Sequence, residues 1–314
     1  RACTDFAASA KSWAELLRFP HKLSTYALLY FSFSAIIVYE MCTIYFTNVK
    51  YHAGIKTGRI PLMFRFICLA TFVILFLVLS TPLLIAEWII GKFNMDLKNR
   101  SSLAIVKWAF RVCLKMTGVS LTVIGEENVP TDTPVLYVGN HRSYFDILLT
   151  YVRVPRPTGY IAKKEMLRYP FLVTWMKNLH CLFLDRKDIK QGLKTILEGI
   201  EKVKSGISIC IFPEGTRNKV NDTFLPFRDG SFKIAEKSGC PIVPMSIYNS
   251  AGIFEDHLPK IKKAHVILEY CPPIYINDIP KAERKQLSAR VQDIIKDTYF
   301  KNKAMMEEEN NRQP

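Results

Sequence analysis

The sequence predicts an α/β fold, a mixed sheet flanked by helices, preceded by a hydrophobic helical region. Two observations lead to this prediction. From about residue 118 onward, short apolar and β-branched runs alternate with helical patterns, as they do in a sheet that is covered on both faces. Before that point, two long apolar runs occupy residues 26–46 and 66–90. We therefore predict a helical region in residues 1–117 and the α/β domain in residues 118–314.

The two N-terminal apolar runs predict a membrane-binding region. The run 66–90 has no charged residue in its first fourteen positions, and a membrane span needs about 20 apolar residues. The run 26–46 is long enough, but Ser32, Ser34 and Glu40 interrupt it. Both flanks of the second run are basic, so the distribution of Lys and Arg leaves the number of crossings open. Buried helices of a soluble domain are the alternative.

Residues 101–116 predict a basic amphipathic helix. Lys107, Arg111 and Lys115 recur every four residues and therefore share one helical face, while large apolar residues cover the rest. Such a helix is typical of an anionic lipid interface. The same pattern also fits a helix that packs on the domain and exposes a basic edge to solvent. The sequence leaves these two interpretations open.

Residues 118–314 are predicted to form buried strands separated by helices. Seven short apolar runs predict the strands, at 119–125, 133–139, 158–162, 180–185, 207–212, 241–247 and 264–270. Apolar residues at helical spacing predict helices over 188–204, with Gly206 as the stop, and over 281–302. The polar tail EEENNRQP is expected to be loose.

Charge and cysteine content narrow the class of protein. The net charge of +15 favours an anionic partner, such as an acidic membrane surface or a phosphorylated substrate. No zinc-finger spacing and no RNP-like aromatic motif occurs in the sequence, so nucleic acid is not expected as a partner. The eight Cys include no C-x-x-C pair, which indicates reduced, mostly buried thiols and a domain that faces the cytoplasm.

The stretch NHRSYFD, residues 140–146, follows a predicted strand. It places His141 at the carboxyl end of that strand and Asp146 in the first turn of the next helix, where open α/β sheets bind ligands. There an Asp can orient a His and stabilise its protonated form. Ser143 and Asp146 also form a helix-capping signature, so Asp146 has a purely structural interpretation as well.

The stretch FPEGTR, residues 212–217, follows another predicted strand. Gly215 permits a tight turn with a close backbone approach. Arg217 offers a planar fork for a phosphate, and exposed backbone N–H groups can assist. Alone, this stretch would be interpreted as a surface turn with an Arg–Glu pair.

Together, in this order and about 70 residues apart, these two stretches resemble the glycerolipid acyltransferase family, closest to its lysophosphatidic acid acyltransferase branch. The resemblance extends to YIAKKEM at 160–166, LFLDR at 182–186 and CPIVPMSI at 240–247, and it covers roughly residues 118–270. Two departures are visible: YPFLVTW lacks a Gly after the lysine block, and His180 and Cys181 stand where a Gly is common in the family.

The resemblance implies an enzyme that transfers an acyl group from a thioester to lysophosphatidic acid, forming phosphatidic acid. It implies His141 and Asp146 as catalytic residues. It further implies a set of substrate-binding residues, namely Lys163, Arg186, Glu214, Gly215, Thr216 and Arg217. No metal and no cofactor is expected; the donor is acyl-CoA or an acyl carrier protein. Glycerol 3-phosphate or another lysophospholipid as acceptor, and a catalytically inactive lipid-binding protein, are the alternatives.

Overall fold

The protein structure is a computed structural model, and it describes residues 62–312. Helices α1 (Leu62–Leu79), α2 (Thr81–Phe93) and α3 (Met95–Thr117) come first. The chain bends by 47° between α1 and α2, where Pro82 near the start of α2 cannot donate the backbone hydrogen bond of a continuous helix. The apolar run 26–46 lies outside the described residues.

No single helix within residues 62–312 is both long and apolar enough to cross a membrane. The bent pair of α1 and α2 meets that requirement only when its two helices are taken together, by length and composition. The membrane-binding role of this region therefore stays a prediction.

Helix α3 packs on the domain, which is one of the two interpretations of the basic pattern at 101–116. Asn94 caps its start by accepting a hydrogen bond from the Leu97 N–H at 2.9 Å, and Gly118 follows its end with φ = 72°. Its apolar face, including Leu103, Val106 and Leu114, belongs to the core that it shares with the sheet. It is therefore a packing helix, and its basic residues lie along the edge of that buried face.

The α/β region that follows alternates strands and helices as predicted. Its strands are β1 (Ser120–Ile124), β2 (Leu136–Gly139), β3 (Thr158–Lys163), β4 (Leu182–Leu184), β5 (Ser208–Ile211), β6 (Ile242–Tyr248) and β7 (His265–Tyr270). Its helices are α4 (Phe145–Tyr151), α5 (Pro170–Asn178), α6 (Ile189–Lys204), α7 (Lys233–Ser238) and α8 (Leu287–Arg312). Each of the seven predicted strands is present within one or a few residues of its predicted bounds.

Within the described residues the seven strands form one sheet in the order β1-β7-β6-β2-β5-β3-β4. From β6 to β4 all neighbours pair in parallel, whereas β7 runs antiparallel to β6 and carries β1 parallel to itself. The sheet is therefore mixed, as predicted. Because β2, β3, β4, β5 and β6 point the same way, the segments that follow them all emerge at one edge of the sheet; we call it the carboxyl edge.

Two apolar cores cover the two faces of the sheet. Residues of α2, α3, α4 and α5 form one core with one sheet face, and residues of α6, α7 and α8 form the other. The α1–α2 bend is tied to the first of these layers, since the Trp175 Nε1–H donates to Ser80 Oγ at 2.9 Å. The buried Glu87 of α2 accepts from the hydroxyls of Ser101 and Ser102 at 3.0 and 2.9 Å.

The prediction of a loose C-terminal tail was wrong for the described part of the tail. Helix α8 continues to Arg312, well beyond the predicted end at residue 302. Met306 is buried against the domain, and the i,i+4 pairs Lys303–Glu307 and Arg312–Glu308 lie on the exposed side. Apolar burial and helical ion pairs extend the helix into a segment whose composition alone suggests disorder.

Candidate active site

A histidine–aspartate pair lies where β2 turns into α4, at the carboxyl edge. The Nδ1 atom of His141 is 2.8 Å from Oδ2 of Asp146. The same oxygen accepts the backbone N–H groups of Arg142 and Ser143 at 2.7 and 2.8 Å. Asp146 is fully buried, while 16% of the His141 side chain is exposed. Asp146 thus shapes the turn and orients the imidazole with one oxygen atom, so its structural and functional interpretations coexist.

A second contact, on the face of the ring, fixes the orientation of the His141 imidazole in addition to the bond at Nδ1. It stacks on the ring of Phe212, with 4.4 Å between ring centroids and an interplanar angle of 16°. Gly139 allows Phe212 to approach, because a Cβ at this position would lie 3.2 Å from the Phe212 ring. A carboxylate at Nδ1 favours the tautomer that carries its proton there. In the described part of the chain, Nε2 has no hydrogen-bond partner, so it is the nitrogen left to act as an acceptor.

The FPEGTR turn is bonded directly to the histidine segment. Glu214 is buried and accepts the His141 N–H at 2.8 Å and the Leu225 N–H at 3.1 Å, while the Asn218 N–H donates to the His141 carbonyl at 2.8 Å. Burial raises the pKa of the Glu214 carboxyl, and the two N–H bonds oppose that rise. Glu214 therefore links the segments that follow β2 and β5.

Gly215 has the backbone conformation that the turn requires. Its φ is 75°, in the left-handed region that favours glycine. A Cβ here would lie 3.1 Å from Nε of Arg228, so a cation lies directly against this turn. Thr216, the next residue, is exposed.

Arg217 lies on the β6 side of the site. Its Nη1 donates to Glu255 Oε1 at 3.1 Å, and its guanidinium lies over the ring of Tyr144 at 3.6 Å. Lys163 and Arg186 lie on the other side, at the ends of β3 and β4, and both are exposed. Among the described residues, no hydrogen bond or ion pair joins either of them to Arg217. The structure brings His141, Asp146, Glu214 and Arg217 together and places Lys163 and Arg186 further along the same edge.

Sequence reasoning did not identify Glu255, the residue that connects most of the site. It follows β6 and accepts the Ser143 hydroxyl at 2.6 Å, the Tyr144 N–H at 2.7 Å and the Arg217 guanidinium. Arg228 and Phe212 were also not assigned roles. Phe212 is the first residue of the FPEGTR stretch, so the motif itself indicated that it lies near the site. Glu255 offered none, because its partners lie more than 100 residues earlier in Ser143 and Tyr144.

Removing the Glu255 carboxylate is expected to destabilise the protein. Glu255→Ala leaves Ser143, Tyr144 and Arg217 without their partner, and we expect it to lower the free energy of unfolding by about 1–3 kcal/mol. Glu255→Gln keeps one acceptor oxygen and should lose less. Urea denaturation of the two variants and the wild type measures both values. Equal stability of all three proteins would contradict the anchoring role.

His180, one of the two departures from the family pattern, has the backbone conformation of a glycine. Its φ is 60°, which costs a side-chain-bearing residue free energy. Its Nε2 is 2.8 Å from Asn99 Oδ1 in α3, and burial lowers the pKa of its imidazole to about 4. A partly buried, neutral His180 that is hydrogen-bonded to α3 thus maintains the turn before β4 where a glycine is common.

The chain is similar to known acyltransferases. The family profile described as Acyltransferase matches residues 120–248. The chain is 30% identical over 196 residues to the 1-acyl-sn-glycerol-3-phosphate acyltransferase of Borreliella burgdorferi, which covers 62% of this chain and 78% of that protein. It is 34% identical over 185 residues to the enzyme of the same name from Helicobacter pylori, covering 58% and 76%.

A solved structure has the same fold. The 1-acyl-sn-glycerophosphate (LPA) acyltransferase PlsC from Thermotoga maritima superposes with a TM-score of 0.66 at 24% identity, covering 77% of this chain and 95% of that one. The fold, the sheet-edge site and the matched profile together define an enzyme of the acyltransferase class. More particularly, the chain belongs to the 1-acyl-sn-glycerol-3-phosphate acyltransferase family, which confirms the resemblance seen in the sequence.

Proposed function

We propose that this enzyme transfers an acyl group from a thioester donor to the free hydroxyl of lysophosphatidic acid and so forms phosphatidic acid. The observation that carries the proposal is the buried Asp146 carboxylate, which holds His141 by Nδ1 at 2.8 Å and leaves Nε2 available at the sheet edge. Relatives that are named for this reaction match 62% and 58% of the chain. The donor is acyl-CoA or an acyl carrier protein, and no metal or other cofactor is needed.

In this mechanism His141 acts as the general base. Its Nε2 takes the proton of the acceptor hydroxyl as the oxygen attacks the thioester carbonyl. Asp146 stabilises the imidazolium that forms. Collapse of the tetrahedral intermediate expels the thiolate, which takes the proton from the imidazolium and so restores neutral His141. A positioned general base contributes about 10²–10⁴-fold to the rate of such a step. The stacked Phe212 ring and the bonded turn supply the positioning.

We assign Arg217 as the main residue that binds the phosphate of the acceptor. Its Nη1 is engaged by Glu255, which leaves the other N–H groups of the guanidinium for a charge-assisted contact. Glu214 and Gly215 set the turn that presents Arg217, and Thr216 lies exposed beside it. Lys163, Arg186 and Arg228 add positive charge along the β3 and β4 side. Partial desolvation of the Arg186 guanidinium, and then the nearby charge of Arg228, lower the pKa of Arg186.

Thiol release is the direct test of the reaction. Purified protein is incubated with acyl-CoA or an acylated carrier protein and a panel of lysophosphatidic acid, glycerol 3-phosphate and other lysophospholipids. We expect free thiol only when lysophosphatidic acid is present, and phosphatidic acid as the product in mass spectra. A higher rate with another acceptor would reassign the substrate, and absence of turnover with every pair would contradict the proposed reaction.

We also propose that the N-terminal region attaches the enzyme to a membrane with the catalytic domain facing the cytoplasm. Along α1 and α2 many large apolar side chains are exposed, among them Ile74, Ile85, Trp88 and Phe93. Among the described residues, Cys113, Cys181, Cys210, Cys240 and Cys271 are free thiols, which suits a reducing compartment.

This attachment predicts resistance to salt. We expect the full-length protein to sediment with membranes and to remain there after a high-salt wash, because salt screens charges but leaves apolar burial intact. The measurement is the distribution of the protein between pellet and supernatant, with detergent extraction as the control. Release by salt alone would exclude an inserted segment.

A further inference from the structure

A patch of exposed apolar and basic side chains covers the β4 end of the domain. Helix α6 buries Thr195, Ile200 and Val203 against the core. Its outer side is not polar, since Ile189 is 90%, Leu193 61% and Leu197 54% exposed. These three residues recur every four positions and therefore form one row along the helix. Exposed apolar rows of this kind mark interaction surfaces.

A second exposed segment adjoins this row. Lys163 at the end of β3 is the register partner of Leu184 at the end of β4, so the segments that follow the two strands leave the sheet side by side. Lys164 forms an ion pair with Asp185 at 3.0 Å across that junction. The segment after β3 exposes Leu167, Tyr169 and Phe171 to solvent. We refer to residues 163–171 and 185–197 together as the edge patch.

The edge patch is basic as well as apolar. Residues 163–171 and 185–197 together contain seven Lys and Arg and three Asp and Glu. Two of the three carboxylates are occupied locally: Asp185 pairs with Lys164, and Asp188 caps α6 by accepting the N–H groups of Lys190 and Gln191. Lys190 and Lys194, which flank the apolar row, are exposed. The field at this surface therefore favours an anionic partner.

We infer that the edge patch is a membrane contact separate from α1 and α2, and that it docks on an anionic phospholipid surface. Apolar side chains set between exposed cations are the pattern that binds anionic lipid interfaces. Lys163 and Arg186 belong to the patch and also to the carboxyl edge, so a lipid acceptor that reaches the site from this surface meets them on its way. This last point rests on the proposed function; the lipid contact itself does not.

Lysine acetylation in the presence of vesicles tests the contact directly. The full chain carrying His141→Ala, which prevents turnover, is mixed with phosphatidylglycerol or phosphatidylcholine vesicles, and the acetylated lysines are quantified by mass spectrometry. We expect Lys190 and Lys194 to react freely without vesicles and to be protected by phosphatidylglycerol only. Lys285 and Lys296, exposed near and on α8, serve as internal controls and should react equally in every sample.

Charge reversal gives a second, independent measurement. The double variant Lys190→Glu, Lys194→Glu is expected to bind phosphatidylglycerol vesicles at least about tenfold more weakly than the wild type, since each Lys near an anionic surface contributes to binding. The matched double variant Lys285→Glu, Lys296→Glu has the same net charge and should bind as the wild type does. Ile189→Ser with Leu193→Ser should weaken binding at unchanged melting temperature.

Three results would overturn the inference. The first concerns acetylation of Lys190 and Lys194. Either vesicles leave the extent of acetylation unchanged, or the two lysines fail to react even without vesicles because the chain itself covers them. The second is equal vesicle binding by the two charge-reversal variants. The third is a Lys190→Glu, Lys194→Glu variant that binds vesicles as the wild type does but has a lower turnover rate with a carrier-protein donor alone. That result would make the patch a protein-docking surface. The first two results need no turnover, so they are separable from a failure of the proposed reaction.

Discussion

Replacing His141 by alanine is expected to lower the turnover number by about 10²–10⁴-fold while the fold survives. The imidazole supplies the proton acceptor of the proposed reaction, and a general base held in place contributes a factor of this size. The side chain is partly exposed and its main polar contact is Asp146, so its removal leaves the core intact. Steady-state kinetics measure the rate, and circular dichroism with thermal unfolding measures the fold.

A second histidine provides the control for this experiment. His265 at the start of β7 bonds to Thr122 and lies near Glu309, and none of these residues belongs to the site. His265→Ala should therefore keep the wild-type turnover number. If His141→Ala retained more than about a tenth of the wild-type rate, a general-base contribution of the usual size would be untenable.

Replacing Arg217 by alanine is expected to lower kcat/KM for lysophosphatidic acid by about 10- to 150-fold. The substitution removes a charge-assisted contact to the acceptor phosphate, which is worth about 1.5–3 kcal/mol. Arg217→Lys should recover only part of the loss, because an ammonium group cannot reproduce the planar fork. The loss should be smaller with a monoacylglycerol, which carries no phosphate. Kinetics with the two acceptors at saturating donor provide the measurement.

The contact between Arg217 and Glu255 requires a control for structural effects. Arg217→Ala also removes a partner of Glu255 at 3.1 Å, so urea denaturation should accompany the kinetics. Lys219→Ala removes an exposed cation two residues further on and should leave kcat/KM unchanged. Equal losses for the charged and the neutral acceptor, at unchanged stability, would show that Arg217 is structural and that the phosphate binds elsewhere.

Several elements of the fold could be predicted because their causes are local. Each of the seven strands is a short apolar run that ends at a turn or a polar segment, and burial on both sheet faces demands that composition. Helix α6 was predicted from its apolar period, and Asp188 caps it. The end of α8 was missed because its stability comes from Met306, which packs against the domain, and local composition does not reveal such a contact.

The sequence by itself determined the proximity of His141 to Asp146 and the conformation of the glycine turn. His141 and Asp146 are five residues apart, and a strand–turn–helix corner brings them within 2.8 Å. Gly215 needs its left-handed φ for a turn that is complete within a few residues. Both features depend on covalent connection over a short stretch, and therefore no knowledge of the remaining chain was needed to expect them.

Only the tertiary structure decided which distant groups complete the site. Glu255 follows β6, and it meets Ser143 and Tyr144 because β6 and β2 are neighbours in the sheet. Lys163 ends β3, a direct neighbour of β5. Arg217 follows β5, yet it contacts Tyr144 and Glu255 on the opposite side, after β2 and β6. Strand order is set by the packing of the whole core, a sum over many long-range contacts that no single stretch of sequence contains.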